Sequence, residues 1–310
     1  MDVKSFIKAA RLRTLPLSVS GIIVGSYLGN DFVLLDANLS DQGGPVWLTT
    51  IFWLAILTTI GFQVLSNFAN DYGDGIKGSD KNRTGEARMV ASGAITPKQM
   101  KSAMIVTSVI TVLIALVLIY VAFGKDNFGY SILFFVLGIA SITAAIKYTV
   151  GKSAYGYSGF GDVFVFVFFG LVSVVGSYFM YTKVINFEIF LPAISVGLLS
   201  TAVLNLNNLR DREEDIKNDK NTLVVKLGTE KAKKYHYFLI VSALISALVY
   251  VFLEFSSIYQ LIFLVAFIPL LKNIRTVSQN KVAAELDSEL KKVALSTFLF
   301  AILLSIGHIF

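Results

Sequence analysis

Apolar residues run along this chain in long blocks, each closed by a cluster of charged or glycine-rich positions. A helix needs roughly 20 apolar residues to cross the hydrocarbon of a bilayer. Nine blocks approach or exceed that length, at 14–29, 46–68, 100–123, 129–149, 160–182, 187–208, 235–254, 257–272 and 293–310. The first follows a basic start that looks like the n-region of a signal peptide. Gly21 to Gly29, however, leads into no small-residue cleavage site, so the segment is expected to stay as the first helix.

Composition points the same way. Of 310 residues, 55% are hydrophobic and 15% charged, and the mean hydropathy is +0.69; a chain this apolar takes the bilayer as its solvent. Charge adds an orientation. Of the 27 lysines and arginines, all but Lys125 and Lys183 fall in the N-terminal segment or in alternate connections on the same side. Because cations are retained on the cytoplasmic side of short loops, the N-terminus and the loops between spans 2–3, 4–5, 6–7 and 8–9 are expected in the cytoplasm. The C-terminus, Ser305 to Phe310, then lies across the cell (inner) membrane. The net charge of +6 is a topology signal before anything else. The cations flank spans and form no groove or module suited to nucleic acid, whereas attraction to anionic lipid headgroups accounts for most of them. There is no cysteine, which excludes disulfides, thiolate nucleophiles and Cys-ligated zinc.

Two connections stand out for length and polarity, roughly 69–98 and 209–233. The first opens Asn67-x-x-Asn70-Asp71-x-x-Asp74, the second Asn205-x-Asn207-Asn208-x-Arg210-Asp211 and continues to Asp215, Asp219 and Lys220. Both thus carry Asn-x-x-x-Asp at the end of a span, and Asp71 and Asp211 are 140 residues apart (211 minus 71). The chain therefore reads as one domain, 1–310: two weakly repeated four-helix units, a final helix, and two loops capping a shared cavity. Residues four apart share a helix face, so Asn67 with Asp71, and Asn207 with Asp211, Asp215 and Asp219, point oxygens at one spot if the helices continue past the membrane. Gly151 to Asp162 reads as a tight connection. Segment 273–292, alternating in charge, reads as a solvated loop or surface helix.

Carboxylate and amide oxygens gathered at a membrane edge suit a hard cation. Mg²⁺ in particular is held by one or two carboxylates together with phosphate oxygens and water. Lys77, Arg83, Arg88, Arg210 and Lys220 are interleaved with the acids and are suited to meeting phosphate oxygens directly. A diphosphate fits both halves of that arrangement. One mixed-charge loop alone would read as a solvated face; two matched loops with the same Asn–Asp spacing argue against it.

At these residues the sequence resembles the UbiA superfamily of intramembrane prenyltransferases, whose signatures have the forms Asn-Asp-x-x-Asp and Asp-x-x-x-Asp. They stand here as Asn70-Asp71-x-x-Asp74 and Asp211-x-x-x-Asp215. Arg11-Leu12-Arg13-Thr14-Leu15-Pro16, Gly78-Ser79-Asp80 and Gly156 to Asp162 are similar to the branch of that family that works on 1,4-dihydroxy-2-naphthoate for menaquinone synthesis. The wider family often has a further Asp where this chain has Gly78; Asp80 comes two residues later. The resemblance implies nine helices around a central cavity. It also implies transfer of a polyprenyl group from its diphosphate to the naphthoate with loss of CO₂, Mg²⁺ bridging diphosphate oxygens to both acidic clusters. On that footing Asp71, Asp74, Asp211 and Asp215 are catalytic, joined by Asn67 as metal or diphosphate residues. Asn70, Asp80, Arg83, Arg88, Asn207, Asn208 and Lys220, with Tyr148 and Tyr157, are the substrate-binding candidates.

Acceptor recognition leaves a fainter trace: Arg13, Lys147, Tyr148, Lys152 and Tyr157 lie near the same side, where snorkelling or interfacial anchoring explains each one singly. Asp162 is expected either as a functional acid at membrane depth or as a helix cap. His236 and His308 stand alone, without metal-ligand spacing. No obligate protein partner is indicated. Within the family a different acceptor stays open, and outside it a secondary transporter, which would place its charges near the middle of the spans; here they cluster at the ends.

Overall fold

The computed structural model describes residues 2–35, 45–78, 88–151 and 154–310, and these are all helix, turn and connection, with no strand among them. Asp2 caps α1 (Val3–Ala10) by accepting the Lys4 amide. The chain then breaks at Arg11, which adopts a left-handed φ of 49°, and enters α2 (Leu15–Leu28) with Pro16 in the first turn, where its missing N–H costs nothing. A short α3 (Asn30–Leu35) follows. Thr49 starts α4 (Thr50–Lys77) by accepting the Phe52 amide, and Gly78 ends it at φ 75°, a conformation that glycine adopts without strain. Thr96 and Gln99 form a reciprocal capping box for α5 (Pro97–Phe123), which ends at Gly124. The remaining helices are α6 (Phe128–Lys147), α7 (Gly161–Thr182), α8 (Phe190–Lys217), the short α9 (Leu223–Leu227), α10 (Thr229–Leu253), α11 (Leu264–Gln279) and α12 (Leu286–Ile309).

Eight of these, α4 to α8 and α10 to α12, are long and apolar enough to cross a membrane, in some cases with a flanking turn. The first sequence block is shorter: the 14 residues of α2 rise about 21 Å at 1.5 Å each. Both motif-bearing helices run well past their apolar stretches. The loops expected from about 69 and 209 begin only after Lys77 and Lys217, so Asn67 to Lys77 and Asn207 to Lys217 are the last turns of α4 and α8, the continued helices that the shared-face reading requires. Segment 273–292, read as a solvated loop or surface helix, is two helix ends joined by a largely exposed connection at 280–285. It divides between the end of α11 and the start of α12, and Glu289 is buried there against Asn273 and Lys292.

The helices are held together by close backbone approach. Without a hydrophobic driving force between helices in lipid, small residues at the seam let dispersion contacts do the work. A Cβ placed on Gly21 or Gly25 of α2 would lie 2.2 Å from Ser173 Oγ or 2.1 Å from the Val174 carbonyl of α7. The stretch of α7 that receives them, Phe166–Val175, is wound as a π-helix. Gly170 of the same stretch meets the Ala193 carbonyl and Gly197 of α8. α12 packs on α2 and α8, α10 and α11 complete that half, and α4, α5 and α6 pack against one another beyond α2. No residue of α6 is buried, and α5 presents Ile105, Val109, Leu113 and Val117 outward in one stripe. Such surfaces suit a hydrocarbon surround. Helices α2 and α4 to α8 line a cavity, and the motif-bearing ends of α4 and α8 reach one mouth of it through Asn67, Asn70, Asp74 and Asn207.

Candidate active site

The cavity measures about 380 Å³. Polar groups concentrate at the motif end, where Arg11, Thr14, Gln63, Asn67, Asn70, Asp74, Arg88, Asn207 and Lys220 reach its wall. Beyond them the lining turns apolar and aromatic, through Phe62, Tyr148, Tyr155, Phe164 and Phe168 to Phe134 and Met180.

On α4, the spacing of four puts Asn67 and Asp71 on one side of the helix, and each is spent differently. Asn67 donates to the Ala10 carbonyl at 2.8 Å and to Thr14 Oγ1 at 3.1 Å, tying the N-terminal segment over the mouth. Asp71 is 1% exposed, and both its oxygens accept backbone amides, from Met89 at 2.9 Å and Val90 at 2.8 Å. It anchors the turn that delivers Arg88. That guanidinium donates to Asp74 at 3.2 Å, both side chains being buried. Asn70 faces Thr149, whose hydroxyl donates to its carbonyl at 3.2 Å.

On α8, Arg210 sits between the members of the second motif. It donates to both oxygens of Asp211, at 2.7 and 2.9 Å, and to Asn207 Oδ1 at 2.8 Å. Asp215 is buried beside Lys220 at 3.5 Å, which the tight turn at Asp219, φ 54°, brings back to the helix end. Asn208 is also buried, and neither it nor Asp71, Asp211 or Asp215 lines the cavity, so that among the described residues Asp74 is the one motif aspartate on its wall.

Tyr157 joins the two halves. Its hydroxyl donates to Asp74 Oδ1 at 2.8 Å, its carbonyl accepts the Asn221 amide, and its ring lies under Lys77 Nζ, 3.8 Å from the centroid, and within 5.5 Å of Lys220 Nζ. Tyr148 lines the cavity next to Tyr155, ring against ring at 5.3 Å. Burial, with Tyr148 as its neighbour, pushes the Tyr155 phenol above its ordinary value, so it serves as a neutral donor, here to the Ala144 carbonyl. Asp80 and Arg83 lie outside the described residues, as does Lys152.

The donor set fits a hard divalent cation. Asp74, Asn67, Asn70 and Asn207 place carboxylate and amide side chains on the mouth wall, whose oxygens are the ligands Mg²⁺ prefers when substrate oxygens and water complete its shell. Among the described residues no three histidine or carboxylate side chains converge into a ready-made cage. The site is thus one that a metal would enter with an oxygen-rich substrate, with Arg88 and Lys220 already opposing part of the acidic charge.

Several lining residues carried no sequence signal. Gln63, Ser66 and Tyr155 belong to no motif. Arg11 reaches the wall, whereas Arg13, singled out by the sequence, is half exposed and pairs with Asp287 at 3.7 Å. Asp287 was hidden in the alternating charges of 273–292. Asp162 is buried in the first turn of α7, near Tyr235.

The arrangement has close counterparts. The 1,4-dihydroxy-2-naphthoate octaprenyltransferase of Haemophilus influenzae is 42% identical over 98% of this chain and 96% of its own. The protein of the same name from Escherichia coli is 39% identical over 98% and 94%. In three dimensions, a UbiA homologue from Archaeoglobus fulgidus solved with DMAPP and Mg²⁺ superposes with a TM-score of 0.66 over 97% of this chain and 99% of the other, at 14% identity. Residues 32–303 match the UbiA prenyltransferase family. With the ends of both motif-bearing helices reaching one apolar chamber, through Asn67, Asn70 and Asp74 on one side and Asn207 on the other, inside a membrane-competent bundle, the chain belongs to that family of prenyltransferases.

Proposed function

We propose that this protein transfers a polyprenyl group from its diphosphate to 1,4-dihydroxy-2-naphthoate with loss of CO₂, as a single unit spanning 1–310. The observation that carries this is the two-ended cavity: cations and oxygens at one mouth, aromatic and aliphatic walls behind. A diphosphate needs the first and a long prenyl tail the second.

Asn67, Asp71, Asp74, Asp211 and Asp215 would hold Mg²⁺, which when bound neutralises diphosphate oxygens. Arg88 and Lys220, on the cavity wall, supply fixed positive charge where the leaving diphosphate accumulates negative charge. As the C–O bond of the donor breaks, its electron pair leaves with the diphosphate, and the allylic carbon becomes electron-poor. Tyr148, Phe164 and Phe168 line the chamber where that happens, and aromatic rings favour developing positive charge. The apolar walls keep water from capturing it. A π-pair of the naphthoate ring then forms the new C–C bond. Departure of CO₂ from the substituted carbon returns the ring-to-carboxylate bonding pair to the ring and restores aromaticity. Tyr157, bonded to Asp74 and stacked beneath the cations, keeps the two halves in register.

The topology follows from charge. With the N-terminus and the motif mouth in the cytoplasm, all cations but Lys125 and Lys183 lie inside. α2, extended by the turn Leu12–Thr14 and by α3, supplies the ninth crossing, and the protein sits in the cell membrane with its active site facing inward.

The test is turnover by the detergent-solubilised protein given a polyprenyl diphosphate and the naphthoate, with Mg²⁺ or with EDTA. Prenylated naphthoquinol formed only with Mg²⁺ is the expected result. Product from another aromatic acceptor alone would refute the naphthoate assignment, and equal product in EDTA would remove the metal.

A further inference from the structure

Asp287 belongs to neither acidic motif, yet it sits against the second one. It lies in the first turn of α12, and its neighbour one turn on, Leu290, lines the cavity. One Asp287 oxygen accepts from Arg210 Nη1, and the other lies 3.7 Å from Arg13 Nη1. Arg210 in turn holds Asp211 through two nitrogens and Asn207 through one.

A single buried guanidinium is therefore shared between a carboxylate of the motif and one outside it. Arg210 and a divalent cation compete for the same charge on Asp211. Whatever draws Arg210 away from Asp211 leaves that carboxylate more available. Resting on the metal-binding role given to Asp211 above, we propose that Asp287 is a positioning residue for the reaction: it takes up part of the Arg210 charge and is the second carboxylate to which Arg210 can shift when a divalent cation claims Asp211, and through Arg13 it couples that exchange to the N-terminal segment at the cavity mouth. Without it, Arg210 has no second carboxylate to move to and its whole charge stays on Asp211, which it already holds through two nitrogens. Arg13 acts in the opposite sense, since it competes with Arg210 for Asp287.

The two senses give a signed test. Mn²⁺ binding to the full chain in detergent, with inorganic diphosphate present, is followed by the EPR signal of free Mn²⁺, beside Mg²⁺ titrations of turnover. Removing one nearby negative charge, as in Asp287→Asn, is expected to weaken Mn²⁺ binding roughly three- to tenfold and to raise the Mg²⁺ needed for half-maximal turnover by the same factor. At saturating Mg²⁺, kcat should stay within about twofold, because binding alone is coupled to the change. Asp287→Glu should recover most of the affinity, and Arg13→Gln should bind Mn²⁺ at least as tightly as the unsubstituted chain. Unchanged Mn²⁺ affinity in Asp287→Asn, or a kcat loss that added metal does not restore, overturns the proposal. So does weakened binding in Arg13→Gln, which decides the matter even if Asp287→Asn does not fold. Turnover by the unsubstituted protein without any Mn²⁺ binding would instead sink the metal reading on which the proposal stands, and the unsubstituted chain alone reveals that case.

Discussion

Asp71 and Asp211 occupy equivalent places in the two motifs but are held by different partners, so their replacement by alanine should part company in stability. Asp211→Ala removes the carboxylate held by Arg210 and is expected to lower kcat roughly 10²- to 10³-fold, the scale of a lost electrostatic group in an active site. Asp71→Ala should lose activity as severely. It also leaves the Met89 and Val90 amides without their acceptor, at about 1–3 kcal/mol for each buried group, so its thermal unfolding in detergent should come several degrees earlier. Retained turnover in both variants would undo the assignment of these carboxylates. Tyr157→Phe deletes one hydroxyl donor to Asp74 and keeps the ring under Lys77. A fall in kcat of roughly tenfold, about 1.4 kcal/mol, is expected, with insertion and folding unaltered.

At the level of helices, the seam between α2 and the π-wound part of α7 is the tightest constraint on the cavity. A methyl group at Gly25 would sit 2.1 Å from a backbone carbonyl, which no side-chain rotation relieves. Gly25→Ala should therefore cost about 1–3 kcal/mol by overpacking, seen as a lower unfolding temperature in detergent. Gly138 of α6, with no atom within 4 Å of the added Cβ, should tolerate the same substitution without loss of stability. Equal effects at the two positions would show that helix approach is not what limits this bundle.

For the molecule as a whole, orientation in the membrane is the property to measure, and a chain without cysteine is suited to it. Single replacements Lys125→Cys and Lys183→Cys should react with a membrane-impermeant maleimide added to intact cells, or to spheroplasts where an outer membrane intervenes. Lys231→Cys should react only after permeabilisation. The reverse pattern would turn the protein over and place the cavity mouth outside.

The spans, the matched Asn-x-x-x-Asp motifs and the one-sided charge were legible in the sequence because each depends on local composition or on spacing along a helix. Asp74, Arg88, Asn67 and Lys220 were singled out that way, and the structure brings them to the wall of one cavity. What the sequence left undetermined depends on which surfaces meet. The continuation of α4 and α8 through both motifs, the pinning of Asp71 by two amides 18 and 19 residues on, and the Tyr157 bridge to Asp74 across 83 residues follow from tertiary packing. So does the pull of Asp287 on Arg210 over a separation of 77. Asp287 keeps 43% of its side chain exposed, as an alternating segment suggests, and only the fold could place a buried guanidinium beside it.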